Sequence, residues 1–314
     1  MSLVCVGGRA NSIDNNQHQQ IVCHAMKNQI RIHTCLKYGD ALPLIRKCVD
    51  MVGLPPRLIL KVYINSSERW LRSSIDTQLE TTCNILGLDQ IESLQICCNP
   101  SYKHFAQGSP FRRKLDALKA SGVVKKLYLE NYWQYSDNIS LYLEDKLIDG
   151  CIFYHNIYLR EADNAFAKAA LSSKKEIITM RSLGGNDKGL LSYYSDSQKE
   201  RLDNIYQSSN YKNHLEFKIA FLKSISNISG AVCGTGKYSH YLELINAFDN
   251  VEPLKCELSK KIRILHDEVW ANKGIGNGEG LQRRFGRKNF SEFIRRGCNQ
   301  MSCLLRGVRT GYDW

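Results

Sequence analysis

Two residues of this chain are of a kind that moves protons. Lys61 lies inside an apolar run, Leu58-Ile59-Leu60-Lys61-Val62-Tyr63, and Tyr38 follows a second short run, Ile30-Arg31-Ile32-His33, in a Tyr38-Gly39 pair. A lysine in such a run is costly to bury, because removal from water penalises its charged form. A cation beside a phenol lowers the phenol's pKa and makes it a better proton donor. Tyr38 and Lys61 together therefore read as an acid and its partner.

The elements that would position them recur along the chain. Short apolar runs stand at Leu3–Val6, Ile30–His33, Leu58–Val62, Ile91–Cys97, Val124–Leu129, Gly150–His155, Ile177–Met180 and Ser229–Cys233. Between nearly all of them apolar residues fall at helical spacing: Gln20–Ile30, Ala41–Val52, Glu68–Leu86, Phe111–Ala120, Asp137–Leu147, Asp163–Leu171, Leu215–Ile225 and Ser239–Phe248. Strand and helix in alternation imply a parallel sheet, and eight such units predict a closed (β/α)8 TIM barrel over residues 1–273. No GxGxxG follows the first strand, which argues against an open dinucleotide-binding sheet. Active sites of such barrels gather at the C-terminal ends of strands. The residues there are His33 with Tyr38, Lys61, Cys97, Asn131, Asn156, Arg181-Ser182 and Gly234-Thr235-Gly236.

The run Gly274-Ile275-Gly276-Asn277-Gly278-Glu279-Gly280 reads as a linker, followed by a basic tail over 281–314. Of the net charge of +12, half lies from Arg283 onward, where eight Arg/Lys oppose Glu292 and Asp313. Phe290, Phe293, Ile294, Met301, Leu304, Leu305 and Val308 fall at helical spacing there. Such a helix packs on the barrel or a protein partner, or offers a basic amphipathic face to an anionic surface. No nucleic-acid-binding motif accompanies it. The twelve cysteines are scattered, with no zinc spacing, and read as reduced core thiols with no metal site. Cys97 and Cys98 are adjacent in a strand and point to opposite faces, which disfavours a redox pair. No apolar run is long enough to span a membrane and no basic leader precedes the first run, so a cytoplasmic protein is expected.

The order of several motifs resembles the aldo-keto reductase superfamily over Met1–Leu254. They are Ile32-His33-Thr34-Cys35 with Tyr38-Gly39, then Ser74–Glu80 leading to Leu86–Glu92. Phe111–Leu115 leads to Gly122-Val123-Val124 and Leu129-Glu130-Asn131-Tyr132. Arg181-Ser182 with Gly189-Leu190-Leu191, and Cys233-Gly234-Thr235-Gly236, complete the series. The resemblance implies reduction of a small-molecule carbonyl compound by NADPH or NADH, with Tyr38 as the acid and Lys61 its partner. It implies Asn131 on the nicotinamide carboxamide, and Arg181, Ser182, Gly234, Thr235, Gly236 and Lys237 around the cofactor.

The chain departs from the family's pattern at several positions. His33 stands where the family pairs an aspartate with the lysine, and Cys97 where a histidine orients the carbonyl. Glu130 replaces a serine, Ile152 a glutamine and Gly236 a phosphate-binding serine, while Lys237 stands in for an expected arginine. A neutral His33 leaves Lys61 without a countercharge, so Lys61 is expected to tend toward its neutral form. Cys97 is a weak donor in place of an imidazole, and loss of one such donor costs about 10²–10³ in rate. Two functions follow: a divergent reductase using Tyr38 and Lys61, or a catalytically inactive barrel kept as a binding, interaction or regulatory module.

Overall fold

The computed structural model describes residues 2–6, 12–63, 68–97, 106–131, 144–160, 172, 175–184, 191–225 and 228–271. The chain divides into two compact units, Met1–Val269 and Trp270–Trp314. Only the first two residues of the second unit are described. The glycine run 274–280, the basic tail, the predicted helix Asp163–Leu171 and most of Asp137–Leu147 lie outside the described residues.

In the first unit the elements run β1 (Ser2–Val6), α1 (Asn16–Lys27), β2 (Arg31–Thr34), α2 (Ala41–Val52), β3 (Leu58–Tyr63), α3 (Glu68–Leu86), β4 (Ile91–Cys97), α4 (Pro110–Ala120) and β5 (Val124–Asn131). There follow β6 (Gly150–Asn156), β7 (Leu159–Arg160), β8 (Glu176–Met180), α5 (Asp196–Gln207), α6 (His214–Lys223), β9 (Ile228–Cys233), α7 (Tyr238–Asn250) and α8 (Cys256–Ala271). The last of these carries over into the first residues of the second unit.

Each of β1, β2, β3, β4, β5, β6, β8 and β9 pairs in parallel with two neighbours, and the pairing of β1 with β9 completes the ring. The fold is the (β/α)8 barrel. The short β7 turns back antiparallel on β6 and stands outside the ring.

Local signals set the helix ends. Asn15 caps α1 by accepting from the Gln17 and His18 amides at 2.9 and 3.3 Å. Ser109 caps α4 with Pro110 in its first turn. Gly53 closes α2 at φ 71°. Helices α5 and α8 are absent from the sequence-based expectation. α5 buries only Leu202 and Ile205 of its twelve residues, too thin a stripe for periodicity to register. Its capping box, Ser195 with Gln198, was the readable sign.

Inward-facing residues fill the barrel in layers. At the N-terminal end Arg31 pairs with Glu176 at 3.2 Å and donates to Tyr128 Oη at 3.2 Å. Tyr128 Oη donates to Glu176 at 2.5 Å, and Lys126 pairs with the same carboxylate. Burial pushes the Glu176 pKa up, but the bonds from Lys126 and Tyr128 and the nearby cations bring it below the usual range. Above this ionic plug lies an apolar layer of Ile59, Tyr128, Ile152, Ile178, Met180 and Val232. Gly150 admits the Tyr128 ring to it: a Cβ there would stand 2.6 Å from Tyr128 Cε1 and 2.4 Å from the Glu176 carbonyl. What remains is the C-terminal layer.

Candidate active site

Four strands each send one polar side chain into that upper layer. Lys61 Nζ (β3) donates to Glu130 Oε1 (β5) at 2.8 Å, with the two side chains 5% and 0% exposed. Gln95 Nε2 (β4) donates to the other carboxylate oxygen at 2.7 Å. That bond fixes the amide, so Gln95 Oε1 is the acceptor facing His33 Nε2 (β2) at 2.6 Å. His33 must therefore carry its proton on Nε2. Its Nδ1 is left with a lone pair, buried and without a hydrogen-bond partner among the described residues.

Electrostatics agree with this chain of bonds. Burial, then the Lys61 charge, lowers the His33 pKa from 6.5 to about 4, against the opposing effects of Gln95 and Glu130. In an unfolded chain the same imidazole takes up a proton near 6.5, so its contribution is full above that value. It is lost as pH falls toward the folded value, because the unfolded state then binds the extra proton. The gap between 6.5 and about 4 corresponds to about 3 kcal/mol. Urea unfolding followed from pH 7 to pH 4 should show the wild type losing about that much more stability than His33→Gln. Parallel curves would remove His33 as the cause.

The expectation of a neutral Lys61 is overturned. Burial does pull its pKa down, but the acidic groups around it, above all the Glu130 carboxylate in contact with it, more than restore it, and the ammonium is held well above the ordinary lysine value. The carboxylate that β2 lacks is supplied from β5. Gln95 is the residue that sequence reasoning missed, and Glu130 is read there only as the replacement of a serine. Their signal was the one that exposed Lys61: a charged or amide side chain inside an apolar strand, Leu127-Tyr128-Leu129-Glu130 and Leu94-Gln95-Ile96.

Tyr38 is half-buried beyond the end of β2. Lys61 lowers its pKa, yet burial outweighs that effect and pushes the phenol up to about 12. The phenol thus holds its proton firmly. Its ring centroid lies 6.2 Å from that of His33. Burial and Glu130 push the Cys97 thiol well up, and its hydrogen-bonding contacts are with Glu130 and Lys61. The thiol is neutral and already engaged, which suits neither a nucleophile nor a free donor to a carbonyl.

Tyrosines and cations form the rim. Lys37 Nζ lies 4.4 Å from the Tyr63 ring centre, Lys61 Nζ 5.0 Å from the same ring, and the Arg181 guanidinium 5.0 Å from that of Tyr154. Ser182, by contrast, is buried: its hydroxyl donates to the Thr179 carbonyl at 3.0 Å and lies 2.8 Å from Thr179 Oγ1. It is turned into the wall. Asn131 ends β5 opposite Phe153, and its side chain lies outside the described residues. Ile152, where the resemblance placed a glutamine, is part of the apolar layer.

Gly234, Thr235, Gly236 and Lys237 make the turn from β9 into α7. There Thr235 Oγ1 accepts from the Lys237 amide at 3.2 Å, and Gln17 Oε1 from the Tyr238 amide at 3.2 Å. Lys237 caps α7 without a side-chain bond, and no acidic residue stands in that first turn.

No protein-family model and no curated protein matches the sequence. Solved structures do match the fold. An aldo-keto reductase from Bacillus halodurans in its holo form superposes with a TM-score of 0.64 at 15% identity, over 84% of this chain and 91% of that one. A thermostable aldo-keto reductase bound to the inhibitor epalrestat gives 0.63 at 17% identity, over 84% and 94%. An aldo/keto reductase from Klebsiella pneumoniae with NADP and acetate gives 0.62 at 12%, over 84% and 90%. With its ring of parallel strands and its upper polar layer, this chain has the fold of the aldo-keto reductases.

Proposed function

We propose that the protein is an NAD(P)H-dependent reductase of small carbonyl compounds, with Tyr38 as proton donor and Lys61 as its electrostatic partner. The observation that carries this reading is the buried Lys61–Glu130 pair, 2.8 Å apart, whose charges both act on the Tyr38 phenol. It replaces the countercharge that a histidine at position 33 had removed.

The residues present fit a nicotinamide cofactor. The turn 234–237 offers the basic Lys237 and the N-terminal end of α7 to its phosphates, with no acidic residue in the first turn of that helix to oppose them. A Cβ at Gly236 would stand 3.3 Å from His18 Nε2, so the glycine lets the turn pack close to that ring. Asn131 is the candidate for the carboxamide. When bound, the reduced cofactor supplies the hydride to the carbonyl carbon.

The chain's own residues handle the proton. As negative charge grows on the carbonyl oxygen, that oxygen becomes a stronger base than a phenolate, so even a Tyr38 phenol with a pKa of about 12 gives up its proton. The Lys61 ammonium stabilises the phenolate left behind, and solvent restores its proton. Glu130 keeps Lys61 charged and in place.

The raised pKa of Tyr38 also favours a second reading, a barrel that binds ligands without turning them over. Titration with NADPH and with NADH, followed by intrinsic fluorescence and calorimetry, separates the two. Micromolar binding, followed by carbonyl-dependent oxidation of the cofactor, is the expected result. Absence of binding at millimolar cofactor would leave the non-catalytic reading. A cytoplasmic site of action fits a chain whose described helices are none of them long and apolar enough to cross a membrane. For the segment 281–314 we retain contact with a protein partner or an anionic surface, on the strength of its charge and spacing alone.

A further inference from the structure

Arg181, just after β8, carries a conformational cost that the fold does not explain. Its φ is 51°, in the left-handed region that side chains other than Gly, Asn and Asp avoid. Among the described residues the other such case is Gln29, at φ 55°, which follows the end of α1, where helices commonly close this way. Arg181 closes no helix. Its carbonyl is pinned instead by the Asn156 side-chain amide at 3.0 Å and the Gly184 amide at 2.8 Å. A glycine would take this backbone freely. Strain of this kind, kept at the mouth of a site, points to a use for the side chain.

That side chain is exposed and lies over the Tyr154 ring at 5.0 Å, and it has no hydrogen bond or ion pair among the described residues. Tyr154 packs against the apolar layer below and stands close enough to Lys61 to affect its charge. The guanidinium is thus one aromatic ring away from the proton-donating pair. Lys37 rests on Tyr63 elsewhere on the rim. Lys61 and Glu130 cancel in the layer below, so among the described residues the Arg181 guanidinium stands as an unpaired positive charge at the rim. A guanidinium stacked on an aromatic face keeps its planar fork of donors free for a carboxylate or a phosphate.

We propose that Arg181 clamps an oxyanion on the substrate, so that the carbonyl compounds reduced here carry a carboxylate or a phosphate a few bonds from the carbonyl. The proposal rests on the reductase reading above, and it moves Arg181 from the cofactor to the substrate.

The test compares charged and neutral partners on the full chain with NADPH. Succinic semialdehyde is paired with butanal, and glyceraldehyde 3-phosphate with glyceraldehyde. The wild type should prefer the charged member of at least one pair by about 10–100-fold in kcat/KM. Whichever pair shows the preference identifies the oxyanion. Both Arg181→Gln and Arg181→Gly should abolish it. Relieved of the strained backbone, Arg181→Gly should do so while its Tm stays level or rises by a few degrees.

Equal losses on both members of each pair would overturn the clamp. So would weakened NADPH binding with the preference intact, which would assign the guanidinium to the cofactor. If the wild type reduces no carbonyl, calorimetry with succinate and with inorganic phosphate decides separately. Binding that disappears in Arg181→Gln supports the clamp while the reductase reading falls, and no binding to the wild type overturns the clamp.

Discussion

Glu130→Leu is expected to destabilise the protein by about 3–5 kcal/mol, because it leaves the Lys61 ammonium buried without a partner. The loss has a natural ceiling. An unpaired Lys61 can discard its proton, and moving a group of pKa 10.5 to its neutral form at pH 7 costs about 5 kcal/mol. Gln95 adds to the loss, since its Nε2 also donates a hydrogen bond to this carboxylate. Removing both charges should behave differently. In Lys61→Met with Glu130→Leu the desolvation cost of the pair disappears, and apolar side chains of similar size join the layer formed by Ile59, Ile152 and Met180. The double variant should recover most of the lost stability and none of the turnover. Urea unfolding of the single and the double variant beside the wild type checks this. A Glu130→Leu protein with the wild-type midpoint would show that Lys61 is not held charged.

The second large effect falls on rate alone. Tyr38→Phe should reduce carbonyl turnover by about 10²–10⁴-fold, the range over which a positioned acid contributes. Its stability should change little, because the hydroxyl has no hydrogen-bond partner among the described residues and the ring is retained. The pH profile carries the sign. Reduction needs the protonated phenol, whose pKa is pushed up to about 12, so the rate should fall only as pH rises toward that value. A basic limb near neutral pH would mean that some other group donates the proton. Unchanged turnover in Tyr38→Phe would remove the assignment altogether.

The barrel was legible in the sequence because its strands are short apolar runs at regular spacing, and a parallel ring buries both faces of each strand. All eight runs became strands in the expected order, with ends moved by one or two residues. Helix α8 was missed although it buries Ile262, Leu265 and Val269 at helical spacing. It lies beyond the stretch that the family resemblance covered. The site was half legible. Lys61 is conspicuous as a cation in an apolar run, but the family resemblance points to position 33 for its countercharge, and His33 supplies none. Charge compensation depends on proximity in space. In a closed barrel β2 and β5 look onto the same axis, so a carboxylate at position 130 can serve a lysine at 61 as well as one at position 33 could. Nothing in linear order distinguishes those two placements.

The pairing that completes the ring has a consequence in time. Ser2 sits beside Gly230, and Cys5 beside Cys233, so the first strand of the barrel finds its second neighbour only when nearly all of the barrel exists. During synthesis at about 5–20 residues per second, one edge of β1 stays unpaired for roughly 10–50 s. An open strand edge is a template for pairing with other chains. The growing chain is therefore most exposed to aggregation before β9 emerges, and slowing translation upstream of Ile228 should lengthen that interval without altering the finished fold.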